Sequence, residues 1–129
     1  MKLQPFTSVN GVPFKVSRGE VLRSRGRPSR EGRNDIGLNE LDYGDVVYRF
    51  QDGGRLEEVT AQAPVLSLGT VAVPFGTLER FVKDNDSSSF ERAGFVISPM
   101  FGLAFDPHCP HWVTALAAHC MGEWLALRA

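Results

Sequence analysis

Apolar and polar positions along this chain repeat with two different periods, and each change of period marks a new element. Near the N-terminus, Leu3-Gln4-Pro5-Phe6 and Gly11-Val12-Pro13-Phe14-Lys15-Val16 predict short extended pieces that pin the start of the chain. Ser17 precedes Glu20 by three residues, with Val21 and Leu22 behind it, a capping box in which each side chain serves an orphan amide. A short helix from Arg18 to about Arg25 is expected, stopped by Gly26 and Pro28. From Arg25 to Glu40 breakers dominate and no period survives, so the segment predicts a loop. Tyr43 to Gln62 then holds two β-prone runs around Gln51-Asp52-Gly53-Gly54, a hairpin signal because these turn residues tolerate positive φ.

Val65 to Phe75 predicts one or two further strands, bent at Gly69. Thr77 can cap a second short helix over Leu78–Asn85, with Leu78, Phe81 and Val82 facing inward. Asp84–Ser89 is a polar loop, and Ala93–Ser98 with Phe101–Phe105 reads as a second hairpin around Pro99. Trp112 to Leu127, rich in alanine and leucine, is the longest helical pattern. Val-Pro-Phe leads into a helix twice, at Val12 and Val73, and a hairpin follows each time. The expected architecture is therefore α+β in one domain over residues 1–129. It has one antiparallel sheet made of two α-β-β units, helices packed on one face, and a long C-terminal helix.

A chain of 129 residues, 43% hydrophobic and 22% charged, can bury a core without staples. Its net charge of −1 makes the whole molecule neither a nucleic-acid magnet nor a polyacid. Two cysteines do not make a disulfide scaffold. No apolar run approaches a membrane span, and the opening MKLQPFTSVNG lacks the apolar core of a signal peptide, so a cytoplasmic protein is expected. Charge is sorted along the chain: Lys15–Arg33 holds seven bases against Glu20 and Glu31, and Asp35–Glu58 holds seven acids against Arg49 and Arg55. Mutual neutralisation is the plain explanation. The basic stretch carries no aromatic between Phe14 and Tyr43, which argues against single-strand nucleic-acid binding and leaves nucleic acid off the expected partners.

Candidate chemistry gathers in Phe105-Asp106-Pro107-His108-Cys109-Pro110-His111-Trp112. A metal site or a Cys–His enzyme could use Asp106, His108, Cys109 and His111. Against this, no paired ligand spacing exists, and His119 and Cys120 would lie too far along a continuous helix to complete one coordination sphere. Asp106 as N-cap with Pro107 at the first helical position accounts for the same residues as a helix entry. No Walker loop or Gly-x-Gly-x-x-Gly occurs, and neither cofactor, metal nor catalytic residue is expected.

The layout of Ser17, Glu20, Val21, Gly26, Pro28, Tyr43, Phe50, Gly53 and Val59 resembles the helix-then-hairpin unit of two groups of small α+β modules. These are the outer-membrane assembly lipoprotein BamE family and the β-lactamase inhibitory protein. The resemblance covers about residues 11 to 60 and implies a structural unit with no catalytic residues. In general character the chain is also similar to immunity proteins, which cover the active site of secreted antibacterial toxins. A non-enzymatic module that binds a protein partner, plausibly such a toxin, is the expectation. The acidic hairpin is the expected partner-binding surface, through Asp42, Asp45, Asp52, Glu57 and Glu58 with Tyr43 and Tyr48 as aromatic anchors. The stretch Lys83–Arg92 is a second candidate surface, and a small metal-binding or Cys/His-dependent enzyme is the alternative.

Overall fold

The computed structural model describes residues 1–128. Three short strands, β1 (Lys2–Gln4), β2 (Ser8–Val9) and β3 (Val12–Pro13), lead into α1 (Arg18–Arg25). Four strands follow: β4 (Arg30–Arg33), β5 (Asn39–Asp42), β6 (Val46–Phe50) and β7 (Leu56–Gln62). The hairpin β8 (Val65–Leu68) and β9 (Val71–Pro74) leads into α2 (Phe75–Asn85). Four more strands come next: β10 (Phe90–Arg92), β11 (Phe95–Ser98), β12 (Leu103–Phe105) and β13 (Trp112–Leu116). A 3₁₀ turn (Ala118–Cys120) and α3 (Met121–Ala126) close the described chain.

The strands form two sheets where the pattern predicts one. A five-stranded sheet has the order β3-β2-β1-β8-β9, and an eight-stranded sheet runs β10-β11-β12-β13-β7-β6-β5-β4. The larger sheet is two antiparallel meanders joined through their last strands, with Val59 of β7 opposite Ala115 of β13. The α+β class holds. Helices α1 and α2, however, each feed four strands rather than one hairpin, and the extra strands come from positions whose pattern is unreadable. All four residues of β4 are exposed, so no alternation marks it, and Arg25–Glu40 contains a β4–β5 hairpin instead of a featureless loop.

Period-2 burial assigns the faces of the large sheet. Val46, Tyr48 and Phe50 of β6 oppose Ala61, Val59 and Leu56 of β7 on one side, and all six are buried. They join Val21 of α1, Leu78 and Val82 of α2, and Leu3, Val9, Leu66 and Val73 of the small sheet in one core cluster. The core thus lies between the large sheet's inner face, the small sheet and two helices. Fully burying a side chain of the size of Phe50 contributes roughly 2–3 kcal/mol.

Helix α1 forms as the capping box requires: Ser17 Oγ accepts from Glu20 N, and Glu20 Oε1 accepts from Ser17 N, both at 3.1 Å. Helix α2 begins two residues before Thr77, with Pro74 as its N-cap, and the Thr77 hydroxyl donates back to Pro74 O. The expected long C-terminal helix is absent. Trp112–Leu116 is a strand paired on both sides, with β7 and with β12, because Val113 and Ala115 fill the inner face and two ladders outweigh the helical preference of Ala and Leu. Only Met121–Ala126 turns into a helix, and it packs on the outer face, where Met121 and Cys120 meet Ile97, Ala104 and Leu116. The helices therefore divide between the two faces. Phe105–Trp112 is a β12–β13 connection and not a helix entry: Asp106 accepts from His108 N through Oδ1 and from Cys109 N through its carbonyl, closing a turn.

One glycine is required by close approach. A Cβ on Gly102, at φ +63°, would stand 2.7 Å from the Phe6 ring, so the N-terminal loop packs onto the β11–β12 turn only because that position is bare.

Candidate functional site

The outer face of the large sheet is concave and half covered. Its floor is a cross-strand polar ladder from β5 through β13. Arg49 donates from Nε to Glu40 Oε2 (2.6 Å) and from Nη1 to Glu58 Oε1 (3.3 Å) and Thr60 Oγ1 (2.6 Å), and the Thr60 hydroxyl lies 2.7 Å from that of Thr114. These contacts follow from register, since Glu40 opposes Arg49, Arg49 opposes Glu58, and Thr60 opposes Thr114.

Two hollows lie over this floor, of about 720 and 640 Å³, and they meet at Ile36, Glu58 and Trp124. One wall is the β4–β5 turn. Asn34 Oδ1 accepts from Ile36 N and Leu38 N, and Gly37 takes φ +83°, so a fixed turn holds the Ile36 side chain outward at 75% exposure. The other wall is α3 with Trp124. Phe95 and Leu127, also exposed, lie at the two ends. Trp112 and Trp124, the chain's two tryptophans, both line the hollows.

A β-bulge shapes the acidic part. Pairing shifts between Arg49 and Phe50, so Leu56 stays opposite Phe50 while Glu58 opposes Arg49 and Glu57 is the extra residue. Glu57 and Glu58 consequently both line the second hollow. Glu58 is raised above the ordinary glutamate range, chiefly by burial, with Arg49 pulling the other way and Glu57 adding to the rise. Arg49 cannot fully compensate it, because Glu40 shares the same guanidinium. The Glu57 side chain is only 6% exposed, and its Oε1 accepts no hydrogen bond among the described residues. His119 Nε2 stands 3.0 Å away and Arg55 Nε 3.8 Å, but neither donates to it. Beside the pair, burial and the charges of Glu57 and Glu58 push the Cys120 thiol up to about 12, so it stays protonated.

The expected partner-binding residues do not converge. Tyr48 is a correction: it is 3% exposed and packs edge-on against Tyr43 within the core, since its β6 position faces inward. Tyr43 is half-buried, donates its hydroxyl to Gly26 O, and lies under the Arg25 guanidinium. Asp42, Asp45 and Asp52 are each met by an arginine from the basic run, namely Arg30 (4.0 Å), Arg25 (3.5 Å) and Arg33 (2.9 Å), and Arg18 pairs with Glu31. The β4–β5 register sets Arg30 opposite Asp42, and α1 supplies Arg18 and Arg25. Of the predicted set, Asp52, Glu57 and Glu58 line the hollows. Sequence reasoning missed Ile36, Glu40, Arg49, Trp112 and Trp124. An isoleucine between Asp35 and Gly37 in a polar segment was the available signal.

His108 and Cys109 are exposed, and His111 packs edge-on against Phe75. Among the described residues no three His, Cys, Asp or Glu side chains are placed to hold a metal ion. No helix among them is long and apolar enough to cross a membrane. In the second candidate surface, Asp86 is buried and structural: it accepts from Ser98 Oγ (2.7 Å), Met100 N (3.1 Å), Ser88 N (2.9 Å) and the Ser88 hydroxyl, tying the end of α2 to the β11–β12 turn. No family model, curated protein or solved structure matches this chain.

Proposed function

We propose that the protein is a non-enzymatic binding module that covers a protein partner with the outer face of its large sheet. One observation carries this: exposed apolar side chains (Ile36 on the β4–β5 turn, Phe95 on β11, Leu127 at the C-cap of α3) ring a polar, carboxylate-rich concavity. Exposed apolar side chains grouped around one hollow are what a protein partner would cover. We read the chain as two α-β-β units, each extended to four strands, that meet at β7 and β13, which floor the concavity. The partner we favour is an antibacterial toxin, the protein acting as its immunity partner in the cytoplasm, where an acidic surface would occupy a basic active site.

Co-expression with the product of the neighbouring gene and purification of the complex tests this. A stoichiometric complex is expected, weakened at least about tenfold by Ile36→Asp or Trp124→Ala, the loss of one buried anchor. A complex indifferent to both substitutions sinks the reading.

A further inference from the structure

We propose that the joined hollows receive a basic side chain, an arginine or lysine flanked by apolar residues, projected by the partner; this rests on the binding-module reading above. Charge balance is the first ground. Asp35, Glu40, Glu58 and Asp106 line one hollow, and Asp52, Glu57 and Glu123 add three carboxylates from the other. Five bases among the described residues stand within 4.0 Å of these seven: Arg33 on Asp52, Arg49 shared by Glu40 and Glu58, Arg55 and His119 on Glu57, and His108 on Asp106, leaving Asp35 and Glu123 with none. Among the described residues Arg49 is the one base that lines either hollow.

The second ground is independent of that balance. Glu57 is buried, lines the hollow, and has an oxygen that accepts no hydrogen bond among the described residues. A buried carboxylate oxygen left unpaired costs free energy, and an incoming N–H donor would recover it. The guanidinium supplies five donors in a planar fork, enough to serve Glu57 and Glu58 together. Its stem would lie along Trp124, where the hollows meet, and the cation can face an indole ring. A free amine or small cation satisfies the carboxylates but leaves Ile36 and Phe95 uncovered, whereas a side chain on a protein segment covers both.

The test uses the intact protein and the capped tripeptide acetyl-Leu-Arg-Leu-amide, with the citrulline tripeptide as its neutral near-isostere. Intrinsic fluorescence reports directly, since both tryptophans line the hollows. Saturable binding is expected, at least about tenfold tighter for the arginine peptide, as for a charge-assisted pair. Glu57→Gln and Glu58→Gln should each remove most of that preference without lowering the thermal midpoint. Asp84→Asn, on the outer side of α2, should leave binding unchanged. Equal binding of the citrulline peptide, an arginine preference untouched by either glutamine variant, or no saturable change overturns the proposal. The partner complex separates the two ideas. If Ile36→Asp breaks it and Glu57→Gln with Glu58→Gln does not, the cationic occupant falls and the binding module stands. If none of these weakens it, the module reading falls as well.

Discussion

Asp86 and Glu58 are both taken out of water, and their surroundings treat them oppositely. Burial alone raises the Asp86 carboxyl, but Ser88, Ser98 and Met100 N bring enough hydrogen bonds to hold it below the ordinary aspartate range. Glu58 receives half of one arginine, stands beside Glu57, and sits above its ordinary range because burial wins. The difference separates architecture from site. A satisfied buried charge fixes the meeting of α2 with the β11–β12 turn, whereas an under-served one stores binding capacity at some expense to stability.

The largest effect should come from breaking the satisfied member. Asp86→Ala strands Ser98 Oγ and Met100 N and should lower unfolding free energy by about 3 kcal/mol, read as a fall in urea midpoint at unchanged slope. A loss below about 1 kcal/mol would show that the turn holds without it. Glu58→Gln should act in the reverse direction, leaving stability within about 1 kcal/mol of the parent and on the stabilising side.

The same contrast sets opposite pH slopes. Asp86 is depressed in the folded state, so its contribution is complete above 3.8 and disappears as pH falls through the folded value. Glu58 is raised, so its penalty is complete above the folded value and is relieved as pH falls from there toward 4.5. Urea titrations across about pH 3 to 7 should therefore show Glu58→Gln flattening the upper part of the profile and Asp86→Asn the lower part. Matching profiles for the two variants would erase the distinction.

Two smaller effects sharpen it. Ile36→Asp touches an exposed side chain and should change stability by no more than about 0.5 kcal/mol while disrupting the partner complex. A thiol reagent should label Cys109 in the native protein and reach Cys120 only in denaturant, because Cys120 is buried and its thiolate is disfavoured by the neighbouring glutamates. Rapid native labelling of both would mean that the C-terminal segment opens away from Glu57.

Local signals in the chain were sufficient for elements whose causes are local. The capping box set α1, Gln51–Gly54 set the β6–β7 hairpin, and Gly69, at φ +62°, set the turn between β8 and β9. The sorting of bases before acids suggested that the two runs neutralise one another, and Arg25–Asp45 and Arg33–Asp52 are pairs between them. Tertiary pairing decided the rest. Trp112–Leu116 opens an Ala- and Leu-rich stretch, but its own Trp, Val and Thr favour a strand, and it becomes one because β7 and β12 each offer a ladder; β4 shows no burial pattern because nothing covers it. Whether Glu57 and Glu58 share one hollow depends on a bulge opposite Arg49, which is a property of two strands in register. A sequence states the preferences of single segments; which of them prevails is set by what each segment finds to pack against.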